Sequence, residues 1–365
     1  MPIAKLYSYI FLYSVMAITL IYAMQLANKS YSKLKEGNNT AGIALLICII
    51  AAIWIGQRPP TYAFSDTGNY AHTFELMKQT HLNIGIRNSS EWVWNNFTFM
   101  SSQVMDVNTY LTIIALAYFL FTFISCWLLT RQNVFATLLL VIGAFSFYSY
   151  ATNGIRNGLA CSMVLTVIAL IAKPRPNWII VAILAFLTAG IHKSTLLPMG
   201  CAFLSIFVIK NFKWAYIFWL FSIIISLVIG NSIADMFASM GFDDRLTYIT
   251  TLDEDKFSYT GFRWDFLLYS MMPIVLGYYV VIKRGIKNKT YLVLLNTYTL
   301  ANAFWVMVIR ANYSNRFAYL SWFMYAMVLA YPLLSLDIWG QKQGKSLSLI
   351  MLANIGFTWV MAVFM

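Results

Sequence analysis

Long apolar runs separated by short polar turns repeat from one end of the chain to the other. They cover approximately residues 3–27, 41–56, 107–129, 134–151, 155–172, 178–191, 194–209, 214–230, 265–282, 290–309, 317–335 and 347–365. A straight helix needs about 20 apolar residues to cross a bilayer, and fewer when aromatics flank it. The pattern therefore predicts an all-α, polytopic integral membrane protein of roughly 12 transmembrane helices. The 3–27 run is too long for a removed signal peptide and lacks a small-residue cleavage site, so it reads as an anchor. No stretch has the mixed composition of a soluble domain, and residues 1–365 read as a single transmembrane domain. Two polar stretches, 57–106 and 231–264, are long enough to build loops of consequence.

Composition agrees with burial in lipid: of 365 residues, 60% are hydrophobic and 10% charged. Lysine and arginine set the orientation. One set of alternate loops carries Lys29, Lys33, Lys35, Arg131, Lys173, Arg175, Lys210, Lys213, Lys283, Arg284, Lys287, Lys289, Lys342 and Lys345, against only Glu36 and Asp337. By the positive-inside rule these loops are cytoplasmic, which places 57–106, 231–264 and both chain ends outside. The net charge of +12 is mostly this bias and gives no support for nucleic-acid binding. Cys48, Cys126, Cys161 and Cys201 all fall inside apolar runs, as small hydrophobes do. Three scattered histidines and no CxxC give no metal site, and no Walker loop, GxGxxG or GxSxG is present. No cofactor is expected.

Against this background, Arg156, His192, Lys193, Arg310 and Arg316 stand out, because they fall in turns between apolar runs. A charge near hydrocarbon costs a few kcal/mol unless it is paired or faces water, so such a cluster on one side points to a site. A cationic site there suits an anionic, lipid-borne substrate. In Asn153-Gly154-Ile155-Arg156-Asn157-Gly158, the unpaired amides and positive dipole end of the next helix join a guanidinium whose fork fits phosphate oxygens. The alternative is an interfacial arginine reaching for water. Gly190-Ile191-His192-Lys193-Ser194-Thr195 repeats the form, with a helix-capping hydroxyl and a histidine, the side chain most used to exchange protons. In the third turn, Arg310 and Arg316 bracket a polar segment and would repel one another unless an anion lies between them.

The 57–106 stretch opens with Arg58-Pro59-Pro60, which stops the preceding helix. Asp66 then reads as a turn or helix cap, with a helix following to about Lys78 on which Asp66, Tyr70 and Phe74 share a face. Asp66 is either a cap or a carboxylate that orients or deprotonates a sugar hydroxyl. Further on, Glu91-Trp92-Val93-Trp94-Asn95-Asn96 reads as an interfacial aromatic belt, as a sugar-stacking surface, or as both. In 231–264, Asp243, Asp244, Arg245 and Asp253-Glu254-Asp255-Lys256 read as a solvated charge run, and Tyr248, Phe257 and Tyr259 leave open a mobile lid.

These pieces resemble the EpsG-like family of polysaccharide polymerases, related in role to the Wzy O-antigen polymerases. The matching segments are Gly56-x-Arg58 leading to Asp66-x-x-Asn69-Tyr70, then Gly154-Ile155-Arg156-Asn157-Gly158-Leu159-Ala160, Ala189-Gly190-Ile191-His192-Lys193-Ser194 and Asn315-Arg316-Phe317-x-Tyr319. They occur in that order over roughly residues 1–335, with Asn157 standing where the family usually has Gln. The resemblance implies a bacterial inner-membrane enzyme with the fold of lipid-dependent membrane glycosyltransferases and a periplasm-facing cavity. It would transfer a glycan from undecaprenyl diphosphate to the next lipid-linked repeat of an O-antigen, capsule or exopolysaccharide, in the bilayer. A chain-length regulator and a flippase are the protein partners implied.

On this reading Arg156, Arg310, Arg316 and Lys193 hold the diphosphates and Asp66 or His192 assists the attacking hydroxyl. Asn69, Tyr70, Glu91, Trp92, Trp94 and Asn157 contact sugars, and loops 57–106 and 231–264 form part of the site or its lid. The competing classes are a flippase for the same lipid-linked sugars and a membrane acyltransferase acting on glycans. A flippase would show paired halves and midway charges, whereas no repeat relates the two halves and the charges gather at one face.

Overall fold

A computed structural model describes residues 2–37, 40–81, 90–239, 261–311 and 314–364. Over these residues the protein is all-helical, with no strand. Hydrocarbon offers no partner to a backbone N–H or C=O, so an apolar run pairs them internally as a helix. In chain order the α-helices are α1 Ile3–Ala27, α2 Tyr31–Glu36, α3 Ala41–Gly56, α4 Asp66–Thr80, α5 Trp92–Val104, α6 Val107–Thr130, α7 Val134–Ile142 and α8 Phe147–Thr152. They continue as α9 Ile155–Ile171, α10 Trp178–Ile191, α11 Leu196–Phe207, α12 Phe212–Ser239, α13 Trp264–Gly277, α14 Lys289–Met307, α15 Ser314–Ser335 and α16 Gln343–Phe364.

Six stretches among the described residues are long and apolar enough to cross a membrane: Ile3–Ala27, Val107–Ile142, Phe212–Gly230, Trp264–Lys283, Ser314–Ser335 and Gly340–Phe364. Ala41–Gly56, Ile155–Ile171, Trp178–Ile191 and Lys193–Phe207 are shorter apolar helices. The chain is a membrane protein.

Three stretches differ from the sequence pattern. The 134–151 run is two helices, because α7 ends at Gly143, whose N–H turns back to Leu139 O and Val141 O. The polar stretch 57–106 holds two helices rather than one: α4 runs two residues beyond Lys78, and α5 was masked by its aromatic and amide composition. Helix α12 does not stop at residue 230 but breaks at Ile229 (φ −131°, ψ 22°) and continues to Ser239. The charge run from Asp243 to Lys256 and the aromatics Tyr248, Phe257 and Tyr259, which left open a lid, lie outside the described residues.

The chain forms two compact units, one of Met1–Ile171, Arg175–Lys193 and Ala330–Met365, the other of Ala172–Pro174 and Ser194–Leu329. In the first, α6 packs against both α3 and α9, α9 against α10, α1 against α16, and α5 against α4 and α10. Gly56 lets α3 approach α6 closely, since a Cβ there would collide with the Thr112 backbone. In the second unit α14 is the hub for α11, α12 and α13. Buried polar groups tie that hub: Trp219 Nε1 donates to Asn302 Oδ1 (2.8 Å), Asn302 Nδ2 to Ser321 Oγ (3.1 Å), and Tyr298 OH to Ser270 O (2.6 Å). Such bonds between helices serve as glue where the apolar surroundings give no hydrophobic drive.

Candidate active site

Arg58, just past α3, is fully buried. Its Nη1 donates to Ile55 O (2.8 Å), its Nε and Nη2 to Thr67 Oγ1 (3.2 and 2.9 Å), and Nη2 also to Thr152 O (3.0 Å). Only the five-donor guanidinium could serve these three segments at once. Burial pulls its pKa down to about 10, so the group remains a cation at neutral pH. The Asp66 N–H donates to Asn153 Oδ1 (2.8 Å), which fixes the start of α4 on the turn that leads into α9. Ser65, between these anchors, has φ +48°, a conformation that persists in a non-glycine residue only where neighbours over-determine it. The Asp66 and Arg156 segments of the sequence pattern thus meet through Asn153.

Three helix ends bring the second group together. Glu91 immediately precedes α5, Arg156 lies in the first turn of α9, and His192 follows the last residue of α10. The Glu91 carboxylate joins both partners, Oε2 to Arg156 Nη1 and Oε1 to His192 Nδ1. All three side chains are largely shielded, at 14%, 20% and 12% exposure respectively. Gly190 permits this, since a Cβ there would collide with Val93 Cγ2 and stand 3.0 Å from Trp92 Nε1 in the first turn of α5. The anion expected at the N-terminus of α9 is therefore present, and it is the protein's own carboxylate.

Burial pushes the Glu91 carboxyl up, but the hydrogen bond from His192 and the charges of Arg156 and Lys193 outweigh it and hold the group below its ordinary range. An ionised carboxylate only accepts, so His192 Nδ1 carries the proton and, in the neutral ring, Nε2 is the basic nitrogen. Arg156 makes no other hydrogen bond among the described residues, which leaves its Nε and Nη2 as donors. The arrangement can therefore hold an anion on the Nε and Nη2 edge of the guanidinium, beside an imidazole whose orientation the carboxylate fixes.

The remaining candidates divide by environment. Asp66 is half-buried and accepts from the exposed Asn69 Nδ2 (3.3 Å). Tyr70 meets Trp94 edge-on at 5.6 Å, and Trp94, only 5% exposed, also meets Tyr110, so its faces are used in packing. Trp92 is half-buried and lies against Phe186 at 5.5 Å. Asn157 Oδ1 accepts from Cys161 Sγ (3.3 Å). Lys193 sits in the single 3-10 turn Lys193–Thr195.

Arg310 and Arg316 belong to the second unit. Arg310 Nε donates to Ser226 O (3.2 Å), close to the break in α12, and its guanidinium lies 5.9 Å from the Phe262 ring centre. Arg316 is half-buried in the first turn of α15, and the turn residues Asn312 and Tyr313 lie outside the described residues. Among the described residues no group of three or more His, Cys, Asp or Glu is placed to hold a metal. What sequence reasoning missed is the convergence on Glu91, read only as a sugar contact, and the depth at which Arg58 is buried.

The chain matches the model of the EpsG family over residues 42–364. It belongs to the EpsG family. No curated protein matches it, and no solved structure does. The match spans Arg58, Asp66, Glu91, Arg156, His192, Arg310 and Arg316, so each of these charged groups lies inside the EpsG region. EpsG membership carries a general role in polysaccharide polymerisation at a membrane.

Proposed function

We propose that this EpsG protein is a polysaccharide polymerase of the bacterial inner membrane. It transfers a glycan from undecaprenyl diphosphate to a lipid-linked repeat unit on the periplasmic face. The observation that carries this reading is the single carboxylate of Glu91 holding a phosphate-type donor, Arg156, beside a proton acceptor, His192. The proposal extends to roughly 12 membrane spans with both chain ends periplasmic, and to a cavity open to that side.

In the transfer, a hydroxyl of the acceptor repeat attacks the anomeric carbon of the donor glycan. The new C–O bond forms as the bond to diphosphate breaks, and the electron pair leaves with the diphosphate. Negative charge grows on that leaving group, and fixed cations lower the barrier by meeting it. Arg156 takes this role with two remaining donors, and Lys193 adds charge nearby. Arg310 and Arg316, expected from the sequence to hold diphosphate, belong to the second unit and are given no part in this step. The hydroxyl proton goes to His192 Nε2, whose ring is already oriented through Nδ1. Asp66, with Asn69, then serves the acceptor sugar rather than the proton. Tyr70, Trp92 and Asn157 border the same helix ends and are assigned to glycan contacts.

The test is to incubate purified protein with undecaprenyl-diphosphate-linked repeat units alone. A ladder of lengthening glycans is expected, with release of undecaprenyl diphosphate in step. Unchanged substrate that crosses a vesicle membrane would replace this reading with that of a flippase.

A further inference from the structure

Two of the contacts that Glu91 makes differ in their chemical demands. On Arg156 it neutralises a guanidinium, and on His192 it holds a ring proton. The charged groups acting on it include Arg156 from α9, His192 just past α10 and Lys193 in the turn that follows. Arg156 spends one terminal nitrogen on the carboxylate, so an arriving diphosphate would take its Nε and Nη2 edge. Two anions on one guanidinium repel each other, and here the carboxylate has somewhere else to go. Its second partner, His192, is already within hydrogen-bond contact.

We infer that Glu91 is a positioning residue that occupies Arg156 until a substrate diphosphate displaces it, and that the displaced carboxylate is then committed to His192. This rests on the roles given to Arg156 and His192 above. A carboxylate committed to the ring stabilises the positive charge that His192 acquires on taking the hydroxyl proton. Diphosphate arrival at one side chain thereby readies proton acceptance at another, through a single residue that touches neither substrate. It also keeps the cationic site neutralised while it is empty, which lowers the cost of holding Arg156 near hydrocarbon.

The inference predicts effects of opposite sign in one variant. Glu91→Gln removes the competing anion, so inorganic pyrophosphate should bind on the order of tenfold more tightly. The same variant leaves His192 without its carboxylate, so kcat for polymer formation should fall on the order of a hundredfold. Glu91→Asp, which keeps the charge on a shorter arm, should lie between wild type and Glu91→Gln in both measurements. A residue that only supports the fold would weaken binding and turnover together. Titration calorimetry with pyrophosphate and single-turnover assays on the detergent-purified chain read the two effects separately. Pyrophosphate affinity that is unchanged or weaker in Glu91→Gln overturns the inference. Should Glu91→Gln not fold, Glu91→Asp decides alone, with tighter binding and slower turnover in support and loss of both against. Because pyrophosphate binding needs no polymerisation, a wild type that binds it but makes no polymer would remove the polymerase reading and leave the competition between anions standing.

Discussion

Arg156 and Arg310 look alike in the sequence, each an arginine at a turn beside an apolar helix, yet the structure treats them differently. Arg156 meets a carboxylate that arrives from another helix and keeps two of its nitrogens in reserve. Arg310 gives its Nε to a backbone carbonyl, Ser226 O, beside the break in α12. Helices break where a side chain inserts among their own hydrogen bonds, so Arg310 has a local structural duty that Arg156 lacks. The lesson is that a cation near hydrocarbon is defined by its partner. A partner that is itself a charge can be traded for a substrate's charge, and a carbonyl within a helix has no such exchange to offer.

The largest effect expected from this contrast is at His192, which shares Arg156's carboxylate. His192→Gln should slow polymer formation on the order of a thousandfold. Asp66→Asn should cost no more than about tenfold, because the proton is not its task. Equal losses in a quantitative ladder assay would return the base to Asp66. Next, Arg156→Lys should lower the rate on the order of a hundredfold, since lysine keeps the charge but not the fork, with little change in thermal midpoint. Arg310→Lys should instead destabilise the protein by about 1 kcal/mol, the worth of its bond to Ser226 O.

pH separates the two arginines more finely. Glu91's carboxyl is depressed in the folded protein below its ordinary 4.5, so the stability it contributes is present above that value and is lost as pH falls through the folded value. The gap in thermal midpoint between wild type and Glu91→Gln should therefore close as pH falls below the ordinary carboxylate range. The Arg310→Lys loss should show no change over that window, because a carbonyl does not titrate. A loss as small as that of Arg310→Lys is expected at Gly230, where a Cβ would stand 2.9 Å from Arg310 Cδ and 3.3 Å from Nε. Gly230→Ala should cost about 1 kcal/mol by displacing that side chain. Gly190→Ala pushes on the first turn of α5 and should slow turnover as well, which a kinetic assay beside the melt would show.

The helices were the legible part of this chain. The bounds of α1, α3 and α10 coincide with apolar runs because hydropathy and the need to pair backbone groups act on the same residues. The break after α7 was hidden for the complementary reason: residues 143–146 are nearly as apolar as the helices beside them, and hydropathy does not see where Gly143 turns the backbone back. At the site, the cationic turns were readable because charge in an apolar chain is conspicuous. Their partner was not, since Glu91 lies 65 residues from Arg156 and 101 from His192, between loops whose packing no local pattern encodes. Trp92 and Trp94 beside it drew the reading toward sugar stacking, while the burial of Trp94 against Tyr70 and Tyr110 is a property of the assembled helices. Arg58 could be placed in a motif but not in the core, because its hydrogen bonds reach forward to Thr67 and Thr152.

Those forward-reaching bonds bear on how the chain is made. A ribosome releases α3 and Arg58 well before Thr152, whose carbonyl lies 94 residues further along, exists to receive the guanidinium. Until then the nascent segment carries an unsealed cation at the end of a 16-residue apolar helix, a state that the bilayer interior disfavours. Arg58 is sealed only when α4 and α8 have brought Thr67 and the Thr152 carbonyl to it. The end of α3, the start of α4 and the end of α8 are thereby obliged to settle together during biogenesis, and chains interrupted before Thr152 would leave that arginine without its last partner.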